Sequence, residues 1–339
     1  MPRQARIDAP GALHHIVIRG IERKPIFKDS TDYHNFLERL GNILVESSTP
    51  CFAWALMRNH IHLLMRTGLT PISTVMRRLL TGYAQQFNRR HRRHGHLFQN
   101  RYKSFLCEEE RYLLELVRYI HLNPVRARIV KDLKSLNSYF RSGHAVIMGR
   151  IEHEWQDTKY VLERFGDEVK AARKSYFRFV HKAIDQGRRP ELVGGGLVRS
   201  VGGWSALKAL RGSETRVVSD ERILGSSEFV EKVLKSANEA YERKTKIRAQ
   251  GIRLSQLIDN VAARLEVDVE LILSASRQRT VSLARSIICC LAVDQLMLSN
   301  TFIASRLNLT PSAVSKLVSR GRLEAETRKI ADGDLLKVK

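Results

Sequence analysis

CFAWALMRNHIHLLMRT (residues 51–67) decides the fold. Residues 51–58 and 60–67 both read as strands, rich in apolar residues, with a very short join at Asn59. Upstream, LHHIVIRG (13–20) reads as another strand and TDYHNFLERLGNILVES (31–47) as an amphipathic helix. Phe36, Leu37, Leu40, Ile43 and Leu44 form that helix's apolar stripe, with Thr31 or Asp32 near its N-cap. Downstream, TPISTVMRRLLTGYAQQFNRRH (70–91) reads as a second helix, with Thr70-Pro71 in its cap and first-turn positions. RYKSFLCE (101–108) is a fourth strand, and residues 108–130 form a helix that Pro124 must end or kink.

The order is β-α-β-β-α-β followed by a further helix. It predicts an α+β domain: a ferredoxin-like antiparallel sheet with helices on one face, over residues 1–150. Residues 151–249 are expected to be a helical and irregular connecting region. Within it, VGGGLVRSVGGW (193–204) lacks the GxxxxGK[ST] spacing of a phosphate loop and reads as a linker. Residues 250–339 carry five helical stretches in succession and are expected to form an all-α helix-turn-helix domain.

The 58 Lys and Arg residues outnumber 35 Asp and Glu, a formal charge of +23 spread along the whole chain. Such a charge predicts a polyanionic partner, nucleic acid before an anionic membrane surface. No apolar run is long enough to span a bilayer, and residues 1–15 lack the apolar core of a signal peptide. The expectation is a cytoplasmic, nucleoid-associated protein with no membrane partner. Cys51, Cys107, Cys289 and Cys290 form no CxxC pair and are expected to be small buried hydrophobes.

MRNHIHLLM (57–65) carries the candidate chemistry. Strand residues two apart share a face, so His60 and His62 project together while Ile61 faces the other side. Two imidazoles on a rigid sheet make half of a divalent-metal site, or simply a pair of ordinary strand histidines. RYIHLNPVRA (118–127) adds Tyr119 and Asn123, four apart and so on one helical face, with His121 pointing elsewhere. The Asn123 amide oxygen is a candidate third ligand, and Tyr119 a candidate nucleophile for phosphoryl transfer. Mg²⁺ or Mn²⁺ would neutralise phosphate oxygens, and Arg118 or Lys103 would help to favour the phenolate.

RGIERKPIF (19–27), MRNHIHLLM (57–65), GHLFQNRYKS (95–104) and YIHLNPVRA (119–127) resemble the corresponding blocks of single-tyrosine HUH transposases, above all the REP-associated tyrosine transposases. The resemblance covers about residues 5–150. It implies that His60 and His62 are the HUH metal ligands and that Asn123 is the additional polar ligand. It also implies that Tyr119 forms a 5′-phosphotyrosine and frees a 3′-hydroxyl. Single-stranded or hairpin DNA is the implied substrate, with the protein acting as monomer or homodimer.

Arg89, Arg90, Arg92 and Arg93, with Arg101 and Lys103, are candidate DNA contacts, since interleaved cations and aromatics suit single strands. Arg101 and Lys103 are expected on one strand face and Tyr102 on the other. His91, His94 and His96 lack acidic or thiol partners in sequence and read as part of this basic patch. FIASRLNLTPSAVSKLVSR (302–320) has a helix-turn-helix rhythm, with Ala304 at the crossing, Asn308 at the turn, and Val314 and Leu317 inward. That leaves Thr310, Ser312, Ser315, Lys316, Ser319 and Arg320 as candidate duplex contacts. Residues 250–322 resemble the DNA-binding domain of the bacterial replication initiator DnaA but lack its Asp-His-Thr run. Two further readings remain: a non-catalytic sequence-specific DNA-binding regulator, and a metal-dependent hydrolytic nuclease.

Overall fold

The computed structural model describes residues 7–9, 11–68, 70–187, 189, 192, 220–249, 252–296, 298–328 and 335. The Gly-rich stretch 193–204 lies outside them. The chain divides into two compact units, Met1–Leu234 and Lys235–Lys339.

The first unit is built on five strands, β1 (Leu13–Arg19), β2 (Cys51–Met57), β3 (His60–Arg66), β4 (Lys103–Cys107) and β5 (Ile223–Leu224), in the order β2-β3-β1-β4-β5. β3 is antiparallel to β1 and β2, and β4 is antiparallel to β1. The first four strands thus make the interleaved ferredoxin-like arrangement expected from sequence. β5 was not expected. It pairs parallel to β4, so the sheet is mixed rather than purely antiparallel.

The helices of this unit are α1 (Ser30–Glu46), α2 (Ile72–Arg90), α3 (Glu109–His121), α4 (Asn123–Arg126), α5 (Leu133–Leu136), α6 (His144–Ile147), α7 (Thr158–Leu162) and α8 (Val169–His181). They lie on both faces of the sheet, which corrects the one-face expectation. α1 and α2 pack on Ile16, Ile18, Ile61, Leu63 and Met65. α3 packs through Leu113, Leu116, Val117 and Ile120 against the opposite face, with Val17, Ala55 and Leu64. Tyr176 and Val180 of α8 join that second core. A strand buried on both faces has a near-continuous apolar sequence, as β2 does.

Local signals explain the helix ends. Asp29, not Thr31 or Asp32, caps α1, its Oδ1 accepting from Asp32 N–H at 3.1 Å. Pro71 takes the cap position of α2. Pro124 sits in the first turn of α4, where its missing N–H costs nothing, and the chain breaks from α3 at Leu122. The four cysteines are buried as expected.

A buried polar chain locks the end of α3. His144 Nε2–H donates to Asn137 Oδ1 at 2.9 Å, so its Nδ1 accepts from the Tyr176 hydroxyl at 2.8 Å. His121 Nδ1–H donates to the same Tyr176 oxygen at 2.7 Å. His121 therefore points away from the cleft that Tyr119 lines, into the core.

α9 (Ser227–Ala249) contains the border between the units. The second unit continues with α10 (Leu254–Leu265), α11 (Val269–Leu273), α12 (Arg279–Asp294), α13 (Asn300–Arg306) and α14 (Pro311–Arg328). α13 and α14 are joined by a short turn in which Asn308 adopts φ 52°, the left-handed conformation expected there. Ala304, Val314 and Val318 are buried between them, with Leu317 partly buried. A side chain at Gly321 would overlap the Ser286 carbonyl, so glycine lets α14 approach α12. Buried Arg285 donates to the carbonyls of Ile272 at 2.8 Å and Ser276 at 2.7 Å and also to Leu271 and Ser274, closing the C-terminal end of α11. Among the described residues, no helix is long and apolar enough to cross a membrane.

Burial holds His144 down at about 3, against an ordinary 6.5. The unfolded chain therefore takes up a proton first as pH falls. The stability that neutral His144 contributes is complete above pH 6.5 and is lost as pH drops towards about 3. Denaturant titrations of the His144→Asn variant should show a shallower loss of stability than wild type between pH ~7 and ~5, by up to about one proton. Parallel pH profiles for the two proteins would refute this.

Candidate active site

The β2–β3 turn fixes the first functional group. Asn59 Nδ2–H donates to the Arg23 carbonyl at 3.0 Å, which orients its Oδ1 towards His60. His60 Nδ1–H then donates to that oxygen at 2.8 Å. Nε2 is left as the lone-pair nitrogen of His60. Burial, with Arg19 nearby, pushes its pKa down to about 4, so the ring is neutral near pH 7.

His62 is fixed from the neighbouring strand. It lies in β3 between Val17 of β1 and Ala55 of β2. His15 Nδ1–H donates to the Leu192 carbonyl at 3.3 Å, which leaves His15 Nε2 as an acceptor. His62 Nδ1–H donates to that nitrogen at 3.0 Å. The lone pair of His62 is thereby confined to Nε2. Burial, and then the neighbouring His15, His60 and Arg19, holds its pKa well below the usual value. The two rings stand nearly perpendicular, with centroids 5.2 Å apart. Ile61 is fully buried on the opposite, α1–α2 side.

α3 delivers Tyr119 to the same place. Its ring meets His62 edge-on at 5.9 Å and His15 edge-on at 6.0 Å. Arg126 lies over the Tyr119 ring at 5.5 Å and donates to the carbonyls of Tyr119 and Ala183, each at 3.4 Å. Burial lowers the Arg126 pKa, and Tyr119 opposes that shift. Asn123 follows at the start of α4. Its Nδ2 is buried with no hydrogen-bond partner among the described residues. An amide turned through 180° puts an oxygen in that place.

His60, His62, Tyr119 and Asn123 all line one cleft of about 810 Å³. Arg19, Arg23, Lys103, Arg126 and Arg189 line it too, and among the described residues no Asp or Glu lines it. A tetrahedral, negatively charged phosphodiester suits such walls. Lys103 is where the sequence placed it, at the site. Arg118 is not: it pairs with Glu115 at 2.6 Å and lies over Phe179. The sequence reading missed Arg19, Arg23, Arg126, Arg189 and His15. Arg126 had a signal, three residues after Asn123 in the NPVR turn. His15 had none, because its partner is 47 residues away on another strand.

The remaining candidate contacts separate. Arg90 pairs with Asp32 at 2.6 Å and Asp29 at 2.8 Å, so it joins the end of α2 to the start of α1. His91 also reaches Asp32, at 2.9 Å, which corrects the expectation that it lacks acidic partners. The donor atoms of Asp29, Asp32 and His91 lie within 4.8 Å of one another, and Arg90 bridges both carboxylates of that cluster. Arg93 donates to the His96 carbonyl at 2.6 Å and to Asn88, closing the turn after α2. Arg89 and Arg92 are exposed, and their side chains make no hydrogen bond or ion pair with described residues. Arg101 precedes β4 rather than lying in it, and it borders a different concavity from Lys103.

In the second unit, Ser312, Ser315, Lys316 and Ser319 are exposed on α14. Thr310 Oγ1 accepts from Ala313 N–H at 3.1 Å at the start of that helix, and Arg320 donates to Ser282 at 2.9 Å. Those two are already engaged within the protein.

Residues 10–123 match the family model described as "Transposase IS200 like". No curated protein matches the chain. Among solved structures, the chain is similar to a REP-associated tyrosine transposase bound to a REP hairpin, at 14% identity and a TM-score of 0.36. That match covers 46% of this chain and 98% of the other. The stretch similar to IS200-like transposases spans β1 to the start of α4 and holds His60, His62, Tyr119 and Asn123.

Proposed function

We propose that the first unit cleaves and rejoins single-stranded or hairpin DNA in transposition, with Tyr119 as nucleophile. One observation carries this reading: a tyrosine and two neutral histidines with Nε2 lone pairs meet in a cleft walled by cations. The family match over residues 10–123 supports it. His60 Nε2, His62 Nε2 and the Asn123 amide oxygen fit a divalent cation as a mixed set of borderline and hard donors. The two imidazoles favour Mn²⁺ over Mg²⁺. When bound there, such an ion supplies charge neutralisation on the phosphate oxygens.

Arg19, Lys103 and Arg126 hold the phosphodiester with its phosphorus facing the Tyr119 hydroxyl. The Tyr119 oxygen attacks phosphorus, and its proton passes to solvent. The bond to the 3′-oxygen breaks, and that oxygen takes up a proton to become a 3′-hydroxyl. The strand stays joined to Tyr119 through a 5′-phosphotyrosine. Attack by a 3′-hydroxyl reverses the steps and reseals a strand, with no nucleotide consumed.

For the second unit we propose duplex-DNA binding through the exposed face of α14, as its resemblance to the DnaA DNA-binding domain implies. Ser312, Ser315, Lys316 and Ser319 are the contacts best placed for it. Thr310 and Arg320 act first as a cap and a brace.

Three outcomes are expected. With Mn²⁺ and labelled hairpin DNA, wild type forms a denaturation-resistant protein–DNA adduct, and Tyr119→Phe forms none. Cleavage without adduct would instead indicate a hydrolytic nuclease, and binding without cleavage a regulator. The His15→Phe variant, which leaves His62 unoriented, should bind Mn²⁺ about 10–100-fold more weakly by electron paramagnetic resonance, with His15→Gln falling between. Unchanged affinity would remove His15 from the site. Lys316→Glu should weaken duplex binding in a gel-shift titration while leaving adduct formation on hairpin DNA intact. Equal duplex affinity would dismiss the α14 face.

A further inference from the structure

A second concavity, of about 830 Å³, lies between the outer face of α2 and the segment 95–102. Its floor is apolar, formed by half-buried Leu80, Ala84 and Phe98. Gln85 and Gln99 stand on its walls and Arg77 and Arg101 on its rim. These four polar side chains are exposed and make no hydrogen bond or ion pair with any described residue. Arg90 and Arg93, on the same helix and turn, are consumed by internal contacts. The groove therefore offers a flat apolar floor, two amides that can both donate and accept, and two uncommitted guanidinium groups.

That combination matches one class of ligand. The ring face of a nucleobase needs an apolar floor, its edge needs amides, and its flanking phosphates need cations. An apolar face of a second copy of this chain would leave the amides and arginines without partners. The position also matters. The groove segment runs along the end of β1, where Ile21 N–H donates to Leu97 O at 3.0 Å and Gln99 N–H to Arg19 O at 2.9 Å. Arg19 lines the Tyr119 cleft, and so does Lys103, two residues beyond Arg101. Groove and cleft share this wall.

We propose that the groove takes an unstacked nucleobase of the same DNA strand whose phosphate enters the Tyr119 cleft, with Arg77 and Arg101 on the adjoining phosphates. This rests on the reading of the first unit as acting on single-stranded or hairpin DNA. A base seated here lies a set number of nucleotides from the phosphate at Tyr119. The groove thereby selects which phosphate is attacked.

The test uses the full chain and fluorescently labelled hairpin DNA with a mixed-sequence single-stranded flank, in which one abasic position is moved along the flank. With wild type, one position should cost about tenfold in affinity and its neighbours little. Ala84→Trp fills the groove. It should lower affinity for intact DNA by a similar factor and abolish the penalty of the abasic position. Arg77→Glu, at an exposed and unpartnered site, should also weaken binding, and thermal unfolding of both variants reports whether they fold. The proposal is overturned if no abasic position stands out, or if folded Ala84→Trp and Arg77→Glu bind as wild type. It is equally overturned if Ala84→Trp leaves DNA binding intact and changes only self-association. The function reading fails separately: a wild type whose binding depends on the groove but which forms no Tyr119 adduct refutes transesterification and leaves the groove standing.

Discussion

β3 must be buried on both faces, yet two of its residues on one face are histidines. Burying an imidazole without partners is costly, so each ring has to find a hydrogen bond at Nδ1. His62 finds His15 on β1, and His60 finds the amide of Asn59 in the turn before it. These two bonds do more than satisfy the rings. They fix the tautomer and aim both Nε2 atoms at the cleft, while burial keeps the rings neutral. The whole candidate site is arranged around that pair, since α3 must pass close enough for Tyr119 to meet His62 edge-on.

The position of α3 is secured from its far side. Tyr176 gives one hydroxyl to two histidines, accepting from His121 and donating to His144. That chain ties the last turn of α3 to α6 and α8. The turn carries Tyr119, and Leu122 and Pro124 then break the helix at the point where Asn123 enters the cleft. The irregular helices after residue 131 therefore belong to the architecture of the site, because they form the outer layer against which α3 is held.

The positive charge has several destinations. Part of it is internal: Arg90 bridges two aspartates, Arg93 closes a turn, Arg118 pairs with Glu115, and Arg285 closes the end of α11. Other cations line the cleft and the rim of the α2 groove, where the Arg77 and Arg101 side chains make no ion pair with described residues. A count of basic residues indicates a polyanionic partner but cannot separate these uses. Separation depends on which carboxylates and carbonyls fold against each guanidinium.

Periodicity and local chemistry were enough to determine the four main strands, α1 to α3, the helices of the second unit and the side on which His60 and His62 stand. Those features depend on neighbours within a few residues: alternation in a strand, a three-to-four-residue stripe, a proline in a first turn, an asparagine at φ > 0. Tyr119 and Asn123 were legible for the same reason, being one helical turn apart. The tertiary structure alone decided that helices cover both faces of the sheet, that β5 joins its edge, and that His15 orients His62. It also decided that Arg126 and Arg189, rather than Arg118, share the cleft with Tyr119. Each of these depends on contacts between residues far apart in the chain, where no local pattern records which side chain a given group will meet.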